Sequence, residues 1–340
     1  VINKTEQVVV REEFNIADVA QGIVPGVVSI VSVEKGGNSS LTKLQSGIDS
    51  WNSSKTGFFL TSDGLVVSAL AENEKSSNWD PTQYNFWVFL DGGQKLEAQF
   101  WTKDSFSDLV FYKVEGGNFP AVVLANSDEL KIGEKVVVVG KPDGEYQNSF
   151  STGIIRDEDK NFSLVNSKLS SSERLEGVVL TDAKIDEKNV GGPVVDFSGK
   201  VIGLANWIKK DGQINPFVIS SQTLKETMNR LIEKGNLERP VLGVYYLTIN
   251  QRIKLLGNLS WDEGALVYSS SGQNNLAVIK NSPADKAGIR IGDIILEVNG
   301  KKINQTLPLS LAVSSFAKGE EISLKIARGE EIMEKKVVLE

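Results

Sequence analysis

Two absences narrow the chemistry available to this chain. Its 340 residues include no histidine and no cysteine. Without histidine it lacks the commonest general base and the commonest transition-metal ligand. Without cysteine there is no disulfide, no thiolate nucleophile and no zinc–thiolate site, although this does not fix the compartment. Ser-His-Asp and Cys-His mechanisms are therefore excluded. Hydroxyls, amines and carboxylates remain. Ser68 with Lys188 could form a Ser–Lys pair in which the amine takes the hydroxyl proton. Asp186 and Glu187, beside Lys188, could form a carboxylate pair, but such a run reads more simply as a solvated acidic loop. A hard-cation site built from carboxylates is compatible with the composition; no motif calls for a metal or another cofactor.

These groups need a scaffold, and the composition supports one. Apolar residues make up 40% and charged residues 24%, enough for packed cores in two or three domains. Acidic residues (44) exceed basic ones (37), a formal charge of −7, so a general nucleic-acid partner is not expected. No apolar run approaches the roughly 20 residues that span a bilayer. The chain begins at Val1 with no signal-peptide pattern, so upstream sequence is expected to have been removed.

A short helix (15–21) enters a strand at 27–31, and a polar loop covers 34–55. Short apolar runs follow at 57–60, 65–70, 84–90, 109–114, 136–139, 178–180, 194–195 and 201–205, separated by turns containing glycine. Many short strands at this spacing indicate a barrel or sandwich. Leu224, Met228, Leu231 and Ile232 then fall at helical spacing, with Thr223 and Glu226 as a capping box and Gly235 as the stop. Residues 236–240 read as a polar linker between a domain at 1–235 and another at 241–340. The second contains strand runs at 264–267, 277–279, 294–298, 322–326 and 336–339. It also has a helix start at Ser282-Pro283, where Ser caps and Pro takes the first position, and a helix over 309–317. Glu320-Glu321 and Glu330-Glu331 follow glycines as solvated turns, and the six tryptophans are dispersed, as expected of packing residues.

The stretch Asn281 to Gly300 resembles the central segment of a bacterial PDZ domain. Upstream, Val241-Leu242-Gly243-Val244 resembles the loop with which such domains hold a peptide C-terminus on backbone N–H groups. The first 230 residues resemble the trypsin-like domain of HtrA/DegP-type serine proteases. Thr56 to Gly64 is similar to the strand and turn before the catalytic histidine, and Asp104 to Val110 to the segment with the catalytic aspartate. Gly140 to Gly144 resembles the Gly-x-Pro-x-Gly turn, Thr181 to Ala183 with Asn189 to Pro193 the nucleophile loop, and Ile214 to Ser221 the end of the domain. The resemblance implies a mostly β chain: a chymotrypsin/trypsin-like double β-barrel, then a small α+β PDZ domain.

The departures from the family pattern bear on function. Ala71 stands at the histidine position and Val190 at the serine, while Asp108 matches the aspartate. Lys188 stands where the oxyanion loop (Lys188, Asn189, Val190) should open with glycine. That chemistry needs a nucleophile, a base and oxyanion donors. The expectation is a catalytically inactive HtrA-like protein that works by peptide or protein binding; the alternatives are residual or rewired hydrolysis and a scaffold with a non-functional groove. The implied partners are proteins or peptides with free apolar C-termini, held at Val241, Leu242, Gly243 and Val244 and packed on Leu309 and Val313. Ala312 and Phe316 are assigned to the core. The resemblance further implies export, a possible N-terminal membrane anchor in a removed segment, and homo-oligomers, trimers above all.

Overall fold

The computed structural model describes residues 12–35, 54–76, 78–141, 148–163, 169–187, 189–210, 213–269 and 277–340. Helix α1 (Glu12–Ile23) leads into β1 (Val27–Glu34), β2 (Ser54–Phe59), β3 (Leu65–Ala69), β4 (Tyr84–Phe89), β5 (Lys95–Asp104) and β6 (Leu109–Val114). These six strands close into a barrel in the order β1-β2-β3-β6-β5-β4. A second barrel, β10-β13-β12-β11-β7-β8, is built from β7 (Lys135–Gly140), β8 (Ser149–Ser163), β10 (Glu176–Thr181), β11 (Pro193–Asp196), β12 (Val201–Lys210) and β13 (Gln213–Ser220). Between β8 and β10 lies the two-residue strand β9 (Ser170–Ser171), which belongs to neither barrel. The expected pair of six-stranded barrels is observed.

The apolar runs are continuous because their strands are buried on both faces. In β6, Val110 and Tyr112 join a core confined to the first barrel; Leu109 and Phe111 join one shared by both barrels and the helices. In β7, Val136 and Val138 face the second barrel's own core, and Val137 and Val139 the shared one. Strands lacking this double burial gave no such signal. β5 is mostly exposed or half-exposed along its length, and β8 runs for 15 residues of mainly polar sequence.

Helix α2 (Ser221–Lys234) follows. Its cap is Ser220, whose Oγ accepts the Thr223 N–H at 3.2 Å, which corrects the expectation that Thr223 caps it. Gly235 closes it with φ +70° and returns its N–H to the Leu231 carbonyl.

The C-terminal domain comprises β14 (Tyr245–Thr248), α3 (Gln251–Gly257), β15 (Ala265–Val267), α4 (Pro283–Lys286), β16 (Ile294–Val298), β17 (Lys301–Lys302), α5 (Leu309–Ser314), β18 (Glu321–Arg328) and β19 (Glu331–Val338). Ser282 caps α4, accepting the Asp285 N–H, as expected. Three expectations need correction. Helix α3 was not foreseen. Residues 277–279 make only the single bridge Val244↔Val278 instead of a strand. Helix α5 ends at Ser314 and not at Ala317, because the Ser314 and Ser315 hydroxyls donate to the Leu311 and Ala312 carbonyls and compete with the helical ladder. The domain's sheet runs β19-β18-β16-β15-β14-β9, so its last strand comes from the loop of the preceding domain.

Candidate functional site

Asp108 sits in the turn that ends β5 and starts β6, in the left-handed conformation at φ +56°. That region is uncommon outside glycine, and Asp is one of the residues that tolerates it. Its carbonyl accepts the Leu70 N–H at 2.8 Å, which fixes it beside the end of β3 and therefore beside Ala71. The buried carboxylate is occupied on both oxygens: Arg174 Nη2 donates to Oδ1 at 2.7 Å, and Lys75 Nζ lies 3.2 Å from Oδ2. Asp108 is thus an anchor for two cations. Four residues earlier, buried Asp104 receives Arg239 through Nε (3.0 Å) and Nη2 (2.6 Å), and the same guanidinium lies over the Phe106 ring. The polar stretch 236–240 is therefore fastened to the first barrel.

Ala71 is half-buried and presents only a methyl group. Its N–H donates to Glu74 Oε2 at 2.8 Å. Glu74 is itself buried, receiving Lys55 Nζ on Oε2 at 2.5 Å and the Tyr112 hydroxyl on Oε1 at 3.1 Å. A charged network thus lies beneath the Ala71 position. Burial holds the Lys55 amine below its ordinary range, with Glu74 opposing that shift. The sign follows directly. The unfolded chain binds this proton more tightly, so the stability contributed by Lys55 rises as pH climbs from its lowered folded value towards 10.5. Tyr112, pushed well above 10.0 mainly by burial, acts oppositely at higher pH. Urea midpoints measured as pH is raised towards 10.5 should rise less in Lys55→Met than in the parent. Parallel curves would show that the Lys55 proton does not contribute.

Val190 is half-buried and packs against both the shared core and that of the second barrel. The N–H groups around it are spent locally. Asn189 and Val190 both donate to the Asp186 carbonyl (3.0 and 3.2 Å), Gly191 to Ala205 (2.8 Å) and Gly192 to Asn189 (2.9 Å). A Cβ added to Gly191 would lie 2.3 Å from Ser68 Oγ and 3.1 Å from the Ala69 N, so this loop abuts β3, the strand that leads to Ala71. Ser68 is wholly buried, and its hydroxyl donates to the Thr56 carbonyl at 2.6 Å. It does not present an open hydroxyl. Lys188, the other half of the Ser–Lys pair, lies outside the described residues, as do Trp51, most of the Gly140 to Gly144 turn and most of the 34–55 loop. Asp186 is half-buried and Glu187 exposed. Among the described residues, no cluster of three or more metal-ligating side chains is found, and no helix is long and apolar enough to cross a membrane.

At the C-terminal domain, Gly243 adopts φ +86°, and a Cβ there would stand 2.3 Å from the Ser282 Cβ, so only glycine fits. The N–H groups of Leu242 and Gly243 converge on one atom, Glu173 Oε1, at 3.2 and 2.9 Å, and the Val244 N–H donates to Ser172 Oγ at 3.1 Å. Val241 instead exchanges backbone bonds with Glu340. Leu309 and Val313 on α5, expected to line a pocket for the last side chain of a peptide, are instead wholly buried in the domain core, with Ala312 beside them and Phe316 packed at its margin.

Comparison with known proteins places this geometry. Residues 55–204 match the trypsin-like peptidase domain family and residues 240–339 the PDZ domain family. Over 275 residues the chain is 31% identical to serine protease HhoB of Synechocystis, covering 81% of this chain and 63% of that protein. It is 32% identical over 279 residues to a periplasmic serine endoprotease DegP-like of Hahella chejuensis, covering 81% of this chain and 54% of the relative. The chain carries an HtrA/DegP-type trypsin-like domain with a C-terminal PDZ domain. The serine protease Do-like HtrA of Bacillus subtilis is 27% identical over 97% of this chain and 74% of its own length. The solved HtrA-type protease AlgW with tripeptide shares the fold at a TM-score of 0.70, with 22% identity, covering 95% of this chain and 96% of that one. The chain spans between half and two thirds of the length of the first two relatives.

Several residues of this HtrA-type site were not singled out from sequence: Glu74, Asp104, Glu173, Arg174, Glu176 and Arg239. Glu173 and Arg174 follow Ser170-Ser171-Ser172, a run that reads as a solvated loop. Glu176, buried at the start of β10, accepts the Tyr246 hydroxyl at 2.6 Å and the Thr248 hydroxyl at 2.7 Å from β14. All of these residues act through contacts with distant parts of the chain.

Proposed function

We propose that this HtrA-type protein is catalytically inactive and works by capturing peptides or proteins through its PDZ domain. The observation that carries this reading is the pair Ala71 and Val190 at the positions where the family resemblance expects histidine and serine. Val190 offers no nucleophile, Ala71 no base, and the chain contains no histidine to substitute. The Asn189 and Val190 N–H groups, which an oxyanion would need, are turned onto the Asp186 carbonyl. Lys188 at the expected glycine position supports the same reading.

Incubated with casein, the protein should release no peptides above a buffer control, because removing triad members costs roughly 10⁴–10⁶ in rate. Cleavage that survives repurification and disappears in Asp108→Ala would overturn the reading in favour of a rewired hydrolase.

The ligand class follows from the groove. A peptide adding as a strand beside β14 would set its carboxylate on the Leu242–Val244 N–H groups. Peptides with free apolar C-termini should bind the full chain, and their amides less tightly. Equal binding of acid and amide would mean that the groove is not the site. As in the periplasmic relatives, the protein would act outside the cytoplasm, and a homo-oligomer built through the barrel domain is part of the same reading.

A further inference from the structure

Residues 170–173 reproduce, within the chain, the strand pairing and the carboxylate contact of the binding mode just described. Ser170 and Ser171 pair antiparallel with Tyr246 and Tyr245 on β14, as an added peptide strand would. The Ser172 N–H donates to the Val244 carbonyl at 3.1 Å, and its Oγ receives the Val244 N–H at 3.1 Å. Glu173 then places a carboxylate oxygen on the Leu242 and Gly243 N–H groups, where a terminal carboxylate would lie. Glu176 continues the contact: its carboxylate holds the Tyr246 hydroxyl, which in turn accepts the Ser310 N–H of α5 at 3.1 Å. The segment itself pairs with β14, and Glu176 reaches α5 only through the Tyr246 hydroxyl.

We propose that residues 170–173 are an internal pseudo-ligand of the PDZ groove, and that Arg174 on Asp108 is the latch that holds this strap in place. The inference rests on the peptide-capture reading and names its regulation. Three features make the strap displaceable. Its ladder is only two residue pairs long, its groove contacts are polar, and Glu173 remains partly accessible to solvent. It competes nonetheless because β8 and β10 tether it at both ends, so its effective concentration at the groove is high. The latch is stronger. Arg174 reaches the Asp108 carboxylate and also donates to the Ser105 carbonyl, and the adjacent Leu175 N–H donates to Phe106 at 2.8 Å. Arg174 adjoins Glu173, so a peptide that displaces the Glu173 carboxylate must move the residue bonded to Asp108. Coupling of this kind is reciprocal: loosening Arg174 from Asp108 favours peptide binding, and peptide binding loosens Arg174. In this arrangement Asp108 sets the affinity of the PDZ domain.

The test uses the full chain, with Glu173→Gln, Arg174→Gln and Asp108→Asn. Two readouts are needed. The first, hydrogen exchange of the 242–244 amides, requires no ligand. Glu173→Gln should accelerate it about tenfold or more, with Arg174→Gln and Asp108→Asn smaller in effect, while β16 amides in the same domain stay unchanged. The second is fluorescence anisotropy with a labelled peptide, Gly-Ser-Gly-Ser-Val-Val-Val, as free acid and as amide. Freeing the groove raises apparent affinity by the inverse of the competent fraction, so the acid should bind Glu173→Gln about tenfold more tightly than the parent. Unchanged 242–244 exchange in both Glu173→Gln and Arg174→Gln would overturn the strap, whatever the peptide does. Accelerated exchange with no peptide binding to any variant would keep the strap and overturn peptide capture. Equal acid binding to parent and Glu173→Gln, with unchanged exchange, would keep capture and overturn the strap.

Discussion

Arg239→Ala is expected to lower the stability of the barrel domain by about 3–5 kcal/mol, the usual cost of removing one partner from a buried ion pair. Asp104 is 1% exposed, and its carboxylate is shared between the Phe106 N–H, the Ser107 hydroxyl and the two-pronged Arg239 guanidinium. Without the guanidinium, the two remaining donors must hold a charge that water cannot reach. The Phe106 ring, which Arg239 covers with its centre 4.3 Å from the guanidinium carbon, loses that contact as well. Arg239→Lys should recover only part of the loss, since an ammonium cannot match both carboxylate oxygens in one plane. Urea unfolding followed by tryptophan fluorescence measures this, with the barrel transition read separately from that of the PDZ domain. A midpoint within experimental error of the parent would show that Asp104 is satisfied without Arg239, and that residues 236–240 are the free linker their composition suggests.

That contrast between composition and contact recurs through the molecule. Runs such as 65–70 and 136–139 were legible because strands buried on both faces must be apolar at every position. The turns were legible because Gly235, Gly243 and Gly288 take positive φ values. The loop at 241–244 was visible for the same reason: the backbone at 243 lies so close to Ser282 that only glycine fits there. β8 was not legible, since a long strand with polar side chains carries no periodic signal. The strap was not legible either. Glu173 acts on residues 242 and 243 and Arg174 on Asp108, in each case across more than 60 positions, and nothing local to Ser-Ser-Ser-Glu-Arg reports those partners. Asp108 lies between these cases. Its family position was readable; its two cationic partners were not. The limit is physical: local pattern reports burial and backbone conformation, whereas electrostatic partners are fixed only when the fold brings distant segments together.

Those partners also determine what happens if the missing catalytic groups are restored. The double variant Ala71→His/Val190→Ser is expected to cleave casein within about tenfold of the parent, short of the roughly 10⁴-fold or greater gain that a working triad supplies. Three obstacles stand in the way, and the substitutions remove none of them. The introduced imidazole would need the Asp108 carboxylate to orient it, but Arg174 and Lys75 already hold both oxygens. A neutral ring displaces a guanidinium from a buried carboxylate only at the cost of a charge-assisted bond. The N–H groups of residues 189 and 190 remain directed at the Asp186 carbonyl, and loss of one oxyanion donor alone costs about 2.7–4 kcal/mol. Under the proposed reading, Lys188 at the expected glycine position is the third obstacle, since a side chain there narrows the backbone choices for turning those donors outward. Adding Arg174→Gln and Lys188→Gly to the double variant addresses the first and third obstacles directly and the second through the third, so the quadruple variant should exceed the double by more than the two additions achieve separately. If the double variant alone cleaves casein efficiently, and Asp108→Ala in that background abolishes the cleavage, the oxyanion loop was intact throughout and the inactivity rests on two side chains only.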